Sequence, residues 1–230
     1  MCLMKKFFVV SLFILSVITI FSVPLEEFVF ENFNEAFEVA ELTNKKVVVM
    51  FSSPTCPACT QFKETTLLDE EIQKWLRTEF VFVEIFPTTE KATFQGEEYN
   101  YGQLFYAFGA RYTPTFVFFD EQQNPFGAIT GGYPADIFID ILKYVSYEKN
   151  EEISLDKFIE DGLGKNIHIL PKTLRLSKDQ IERLLDLDPN SKVYEPGKNY
   201  DPYTNIVLLQ NNTNEQNLEN FYVKIFESKN

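Results

Sequence analysis

Val47-Val48-Val49-Met50-Phe51-Ser52-Ser53-Pro54-Thr55-Cys56-Pro57-Ala58-Cys59-Thr60-Gln61-Phe62 is the stretch on which the reading of the chain turns. It opens as an apolar, β-branched run, which predicts a strand buried on both faces. A polar turn, Ser52-Ser53-Pro54-Thr55, leads into a segment that is helical from Pro57, with Phe62 the first apolar residue on its inward face. Pro57 suits the first turn, where its missing N–H would have had no intrahelical partner. Cys56 then sits among unpaired N–H groups at the positive end of the helix dipole, which favours a thiolate. In that arrangement Cys56 attacks a disulfide, and Cys59, one turn on, resolves the mixed disulfide. A zinc site needs four ligands, and the remaining candidates are Cys2 near the start and His168 far downstream. A structural bridge across so short a spacer constrains the unfolded chain little. The pair therefore reads as a redox centre, with no metal or organic cofactor.

Outward from that stretch, composition sets the bounds. The 230 residues suit one good-sized domain, or one domain and an appendage. A net charge of −13 with no basic patch argues against a nucleic-acid or anionic-lipid partner. With 24 Phe and 11 Tyr, the core is expected to be built largely from rings. Lys5 and Lys6 precede an uncharged run, Phe7 to Phe21, in the manner of a secretory signal. The cleavage site is poor, because Ile20 sits where a second small residue is wanted before Ser22. No charge follows until Glu26, so the segment is close to the roughly 20 residues a membrane anchor takes. Cys2 precedes the apolar run and so is not the lipid-bearing cysteine of a lipoprotein. Either way, Lys5 and Lys6 stay inside and the rest of the chain is exported.

The chain before and after the cysteines reads as alternating elements. Leu25 to Phe30 is expected as an edge strand, and Asn34 as the N-cap of a helix carrying Ala36, Phe37, Ala40 and Leu42. Asp69 caps Glu70 to Arg77, with Ile72, Trp75 and Leu76 inward; Trp75 belongs in the core rather than on a ligand platform. Phe80 to Phe86 is a buried strand. Within it, Glu84 is either a proton acceptor for the resolving thiol, its pKa raised by burial, or a carboxylate at the strand's solvent edge. Pro87 to Gly102 reads as a loop inserted near the site, and Gln103 to Phe108 as a short helix. In Arg111-Tyr112-Thr113-Pro114-Thr115-Phe116-Val117-Phe118-Phe119-Asp120, the proline opens an apolar strand, which fits its inability to donate to a ladder. A cis Thr113–Pro114 bond would be a deliberate feature there. Phe126 to Thr130 pairs back as an edge strand. Gly131-Gly132-Tyr133-Pro134 then precedes a helix, Ala135 to Tyr147, with Ile137, Phe138, Ile141, Leu142 and Val145 inward.

Taken together, Phe51 to Phe62, Thr113 to Asp120, and Gly132-Tyr133-Pro134 with the helix to Tyr147 resemble the thioredoxin fold, an α/β architecture with a central mixed sheet flanked by helices. The last segment is particularly similar to SoxW-like thioredoxin-related proteins of the bacterial envelope. The resemblance covers Leu25 to Tyr147. It implies that Pro114 is cis and packs against Cys56 and Cys59, and that Thr113 offers backbone hydrogen bonds to an extended substrate. The sequence also departs from the family pattern. Thr55 stands where thioredoxin has Trp, and Pro57-Ala58 fill the spacer. Met50 stands where thioredoxin keeps a buried Asp, so Glu84 or water must take its place. Ala58 replaces the histidine of strongly oxidising relatives. These departures point to a reduction potential within the roughly −120 to −270 mV span of the fold.

The chain thus divides into 1–23, a signal peptide or N-terminal membrane anchor; 24–149, a thioredoxin-like domain; and 150–230, a small α+β extension. In the extension, Ser154 to Leu163 reads as a helix, and Ile167 to Leu170 as a strand carrying His168. Ser177 caps a helix to Leu187 with Leu184 and Leu185 inward. Asn205 to Gln210 and Phe221 to Phe226 read as strands of a hairpin closed by Asn211 to Asn217. No chemistry is visible there, and the segment is a docking surface or a packing appendage.

The leading expectation is an exported thiol–disulfide oxidoreductase. It would act on protein thiols or disulfides and be reset by a membrane or soluble redox partner. Two other classes compete with it. One is a redox-inactive chaperone or partner-binding module. The other is a metal carrier, against which the single histidine and only three methionines argue.

Overall fold

Strand β2 (Lys46–Phe51) is the middle of a five-stranded sheet, and its alternation separates two cores. Its neighbours are β3 (Phe80–Ile85), parallel to it, and β6 (Thr115–Phe119), antiparallel. The edges are β1 (Val29–Phe30), parallel to β3, and β7 (Pro125–Thr130), antiparallel to β6. The structure is a computed structural model that describes residues 22–147, 150, 152–210 and 218–228. The leader read in residues 1–21 lies outside them. Among the described residues no helix is long and apolar enough to cross a membrane.

Successive side chains of a strand point to opposite faces. Val47, Val49 and Phe51 therefore pack with α1 (Phe33–Thr43) and α4 (Tyr101–Ala107), while Val48 and Met50 face α2 (Pro57–Thr65), α3 (Glu70–Glu79) and α5 (Ala135–Val145). Both cores are ring-built, as the composition predicts. Phe62 packs at 4.8–4.9 Å from Phe116 and Phe138 on one side of the sheet, and Phe37 at 5.0 Å from Phe119 on the other. Trp75 is buried with Ile72 and Leu76 on the stripe of α3, and Asp69 caps that helix as expected.

Local expectations differ from the structure at four places in this region. The N-cap of α1 is Asn32, whose Oδ1 accepts from the N–H groups of Asn34 and Glu35. Asn34 in the first turn instead exchanges two hydrogen bonds with the backbone of Thr93. Residues 87–102 are not a loop: they contain a hairpin, β4 (Lys91–Phe94) and β5 (Glu97–Asn100), docked on α1 through that pairing. The Phe33 N–H donating to the Tyr101 hydroxyl strengthens the contact. Only the last two residues of the Leu25–Phe30 segment are strand, after a 3₁₀ turn, Leu25–Glu27. Ile137 is exposed, because Phe138, Ile141, Leu142 and Val145 alone form the inward stripe of α5.

After α5 come α6 (Leu155–Glu160), β8 (Lys172–Leu176), α7 (Lys178–Leu187), β9 (Ser191–Val193), β10 (Asn205–Leu208) and β11 (Val223–Glu227). The strands form a second, all-parallel sheet in the order β8-β11-β10-β9. The expected hairpin is thus replaced by a parallel pair whose connection must return to the starting end of the sheet; residues 211–217 within it lie outside the described residues. The expected strand Ile167–Leu170 is coil, with Leu170 and His168 exposed, and β8 begins only after Pro171. The Ser177 cap of α7 is present as a full capping box with Gln180.

This second sheet shares the first core: Leu176, Ile181, Leu184, Val207, Val223 and Ile225 join Val47, Val49 and the face of α1. A buried polar junction closes the seam. Lys45 Nζ donates to the Arg77 carbonyl (2.7 Å) and to Asn205 Oδ1 (2.9 Å), and Asn205 donates in turn to Asp188 (2.8 Å). Arg77 reaches Asn190 and Asp201, each at 2.9 Å.

Candidate active site

Helix α2 begins where the chain leaves the end of β2. Cys56 is its N-cap residue in extended conformation, and Pro57 occupies the first turn. The Cys59 N–H donates to Cys56 Sγ at 3.1 Å, so one orphan donor of the helix start is spent on that sulfur. Cys56 and Cys59 form a disulfide, their Cα atoms 5.3 Å apart. Cys56 is 8% exposed and Cys59 1%, so the first cysteine is the more accessible of the two.

Cys56 Sγ lies 3.3 Å from the carbonyl oxygen of Thr113. The Thr113–Pro114 bond is cis, and Pro114 is buried. The turn that presents these residues is tied down on each side. The Thr115 hydroxyl donates to the Tyr112 carbonyl (2.7 Å), and the Gly131 N–H donates to the Pro114 carbonyl (2.8 Å). Behind it, Gly132 runs so close to Ala58 that a Cβ there would meet the Ala58 carbonyl oxygen at 3.1 Å. Ala58 and Gly132 therefore let the chain before α5 pass over the first turn of α2, and the Thr66 hydroxyl holds it there by donating to the Tyr133 carbonyl.

Glu84 lies on β3 directly across from Met50, on the face that α2 covers, and is buried. The solvent-edge alternative does not hold, since Glu84 is 6% exposed. Its Oε2 pairs with Lys63 Nζ at 2.9 Å, and Lys63 belongs to α2. The other oxygen, Oε1, is buried without a hydrogen-bond partner among the described residues, and the same holds for Ser52 Oγ. Sequence reasoning missed Ser52, Lys63 and Gly132. A signal existed for Ser52, because alternation along β2 puts it on the face of Met50.

No group of three or more His, Cys, Asp or Glu that could hold a metal occurs among the described residues. His168 is exposed on coil, outside any strand.

Residues 33–146 match the family model described as a thioredoxin-like domain. No curated protein matches the chain. Among solved structures it is similar to a thioredoxin from Thermus thermophilus, with 24% identity and a TM-score of 0.44, over 62% of this chain and 98% of that one. It is similar also to a thioredoxin-fold protein from Helicobacter pylori, at 15% identity and a TM-score of 0.43, over 60% and 100% of the two chains. A third similar structure is the C-terminal domain of DsbD from Neisseria meningitidis in the oxidised form, at 22% identity and a TM-score of 0.39, over 49% and 95%. The fold is thioredoxin-like, with a mixed sheet flanked by helices and further strands and helices after it.

Proposed function

We propose, with the thioredoxin-like domain as premise, that the protein is a thiol–disulfide oxidoreductase acting on protein substrates. The observation that carries this reading is the Cys56 sulfur lying 3.3 Å from the Thr113 carbonyl beside the cis proline. An extended peptide laid along Thr113 brings its own sulfur in line with Cys56.

In the reductive direction, the Cys56 thiolate attacks a substrate disulfide. A mixed disulfide forms, and the first substrate sulfur leaves as a thiolate. Cys59 then loses its proton and attacks Cys56 Sγ, the intermolecular S–S bond breaks, and the second substrate sulfur leaves. Two electrons pass from the pair to the substrate, and run backwards the same steps oxidise a dithiol.

The helix start makes Cys56 the nucleophile. An anion there gains about 0.3–1 kcal/mol, up to about 2 when partly buried. That favours the thiolate at Cys56 over the thiol. Ala58 adds no charge, which keeps the proposed potential between the extremes of the fold, roughly −120 to −270 mV. Glu84 takes the part of the proton acceptor for Cys59, on the same face of the sheet and held by Lys63.

The remaining parts of the reading rest on sequence. The apolar leader supports export, with the chain free or tethered outside the cytoplasm and a redox partner resetting the pair. The Gly132-Tyr133-Pro134 segment supports a place beside the SoxW-like envelope proteins.

The test is disulfide reduction and dithiol oxidation with insulin or a model peptide. Cys56→Ser is expected to abolish both, and Cys59→Ser to accumulate a mixed disulfide. Unchanged turnover in Cys56→Ser overturns the reading. Client protection that survives in a Cys56→Ser, Cys59→Ser double variant would favour a binding module instead.

A further inference from the structure

The two larger sheets end in four edge strands, β1, β7, β8 and β9, and these edges are not alike. β1 is two residues long, with Glu31 directly after it. β8 carries Lys172 and Arg175, and the three-residue β9 carries Lys192. Short length and charge are the means by which proteins keep an edge from pairing with another chain. β7 has neither: its six residues, Pro-Phe-Gly-Ala-Ile-Thr, hold no charge. Pro125 blunts only the first position.

The register fixes which groups β7 leaves open. The Gly131 N–H donates to the Pro114 carbonyl at 2.8 Å, Ile129 lies across from Phe116, and Gly127 lies across from Phe118. Opposed residues of an antiparallel pair are alternately bonded and unbonded. Gly127 and Ile129 therefore bond β6, while Phe126 and Ala128 turn their N–H and C=O groups to the free side. Neither has a hydrogen bond there among the described residues, and both side chains are exposed. Beside this edge runs a groove of about 650 Å³. Phe126 to Ile129 line it from the strand, Ile141 and Tyr144 from α5, and Glu152 and Ile153 from the segment after α5. The Tyr144 hydroxyl lies 2.8 Å and 2.9 Å from the carbonyl oxygens of Asn150 and Ile153, which fixes that last wall. Glu152 is exposed and has no ion-pair partner among the described residues.

We propose that β7 is a strand-addition site for an extended segment of a partner protein. The segment bonds the open N–H and C=O groups of Phe126 and Ala128, and every second side chain, an apolar one, enters the groove. Its flanking residues are basic, to match Glu152 and the −13 charge of the chain. A second copy fits less well, because it brings another −13 to an edge that holds no cation. The edge and groove contain neither Cys56 nor Cys59, so this docking does not depend on the oxidoreductase reading.

The test titrates the full chain with a labelled heptapeptide of alternating valine and threonine, lysine at both ends and no cysteine. Saturable binding is expected. N-methylation of either the valine or the threonine amides, but not of both sets equally, should weaken it by about tenfold or more, since one edge of the added strand meets β7. Ala128→Pro removes a donor that β6 does not use and should weaken binding by about tenfold. Should that variant fail to fold, the two methylated peptides still decide the matter on the wild-type chain. Glu152→Gln should weaken binding about threefold and flatten its salt dependence. The Cys56→Ser, Cys59→Ser double variant should bind as the wild type does. Absence of saturation, equal effects of the two methylated sets, or loss of binding in the double variant overturns the site. A wild-type dimer that Ala128→Pro converts to monomer would give the edge to a second copy and overturn the peptide assignment.

Discussion

Strands β2 and β3 run parallel, and their two ends treat buried polar groups in opposite ways. Where the strands begin, Lys45, Arg77, Asp188, Asn190 and Asn205 meet under the second sheet, and nearly every donor finds an acceptor. Only Arg77 Nη1 is left over. Where the strands finish, Ser52 and Glu84 each bury an oxygen without a hydrogen-bond partner among the described residues. A satisfied network fixes the arrangement of its parts, so the beginning end reads as the fastening of the second sheet onto the first. An unsatisfied one is tolerated where chemistry supplies the missing partner.

The fastening is the easier end to break. Arg77 is 3% exposed, and replacing it with Met removes the bonds to Asn190 and Asp201 while leaving Asp201 without its cation. Removing one partner of a buried ion pair costs about 3–5 kcal/mol. Arg77→Met is therefore expected to lower the urea midpoint by that free energy, and a change below about 1 kcal/mol would make the junction incidental to the fold.

Lys45 adds a pH signature to the same end. Burial pushes its pKa down from 10.5 to about 7, against the pull of Asp188 and Glu79 and with the push of Lys172 and Arg77. Between about pH 7 and 10.5 the unfolded chain holds a proton that the folded chain has released. The unfolded state binds more protons across that window, so this group makes the fold more stable as pH rises, on the order of 1 kcal/mol per unit. Below about pH 7 both states hold the proton and its contribution stays at its minimum. Tyr203, raised by burial to about 12, works the other way only above about pH 10. Denaturation followed from pH 7 to 10 is expected to show the rise in the wild type and a flatter line in Lys45→Met. Identical slopes would mean that Lys45 titrates normally.

The two ends also differ in how far the sequence reveals them. Around the cysteines most of the site was legible, because its signals are local. Pro57 and Cys56 mark a helix start and Asp69 marks a cap, while the cis Thr113–Pro114 bond is what the family resemblance implies. Glu84 was visible as an acid in an apolar strand, but its pairing with Lys63 of α2 joins residues 21 apart in the chain. Ser52 read as a turn residue, although alternation along β2 already put it on the face of Met50. At the fastening, single elements such as the Ser177-capped helix were readable and their assembly was not. Which strand lies beside β10 is decided by burial of Val207, Val223 and Ile225 in the core shared with α1 and α7, among residues far apart in the chain. The hairpin within residues 87–102 escaped for a similar reason, its docking resting on Asn34 and Phe33.

The sharpest contrast between the ends is one of sign, and the smallest in size. At the fastening, Asn205→Ala takes an acceptor from Lys45 and a donor from Asp188, and so should destabilise. At the cysteines, Ser52→Ala removes a hydroxyl that has no partner in the oxidised protein, and the fold loses nothing it was using. The desolvation penalty of an unpaired buried hydroxyl is about 1–3 kcal/mol, and the small void left behind returns part of it. Ser52→Ala is therefore expected to stabilise the oxidised protein by about 1 kcal/mol, seen as a raised urea midpoint. A stability loss would mean that the Ser52 hydroxyl is bonded in the folded protein, and the two ends would then follow the same rule.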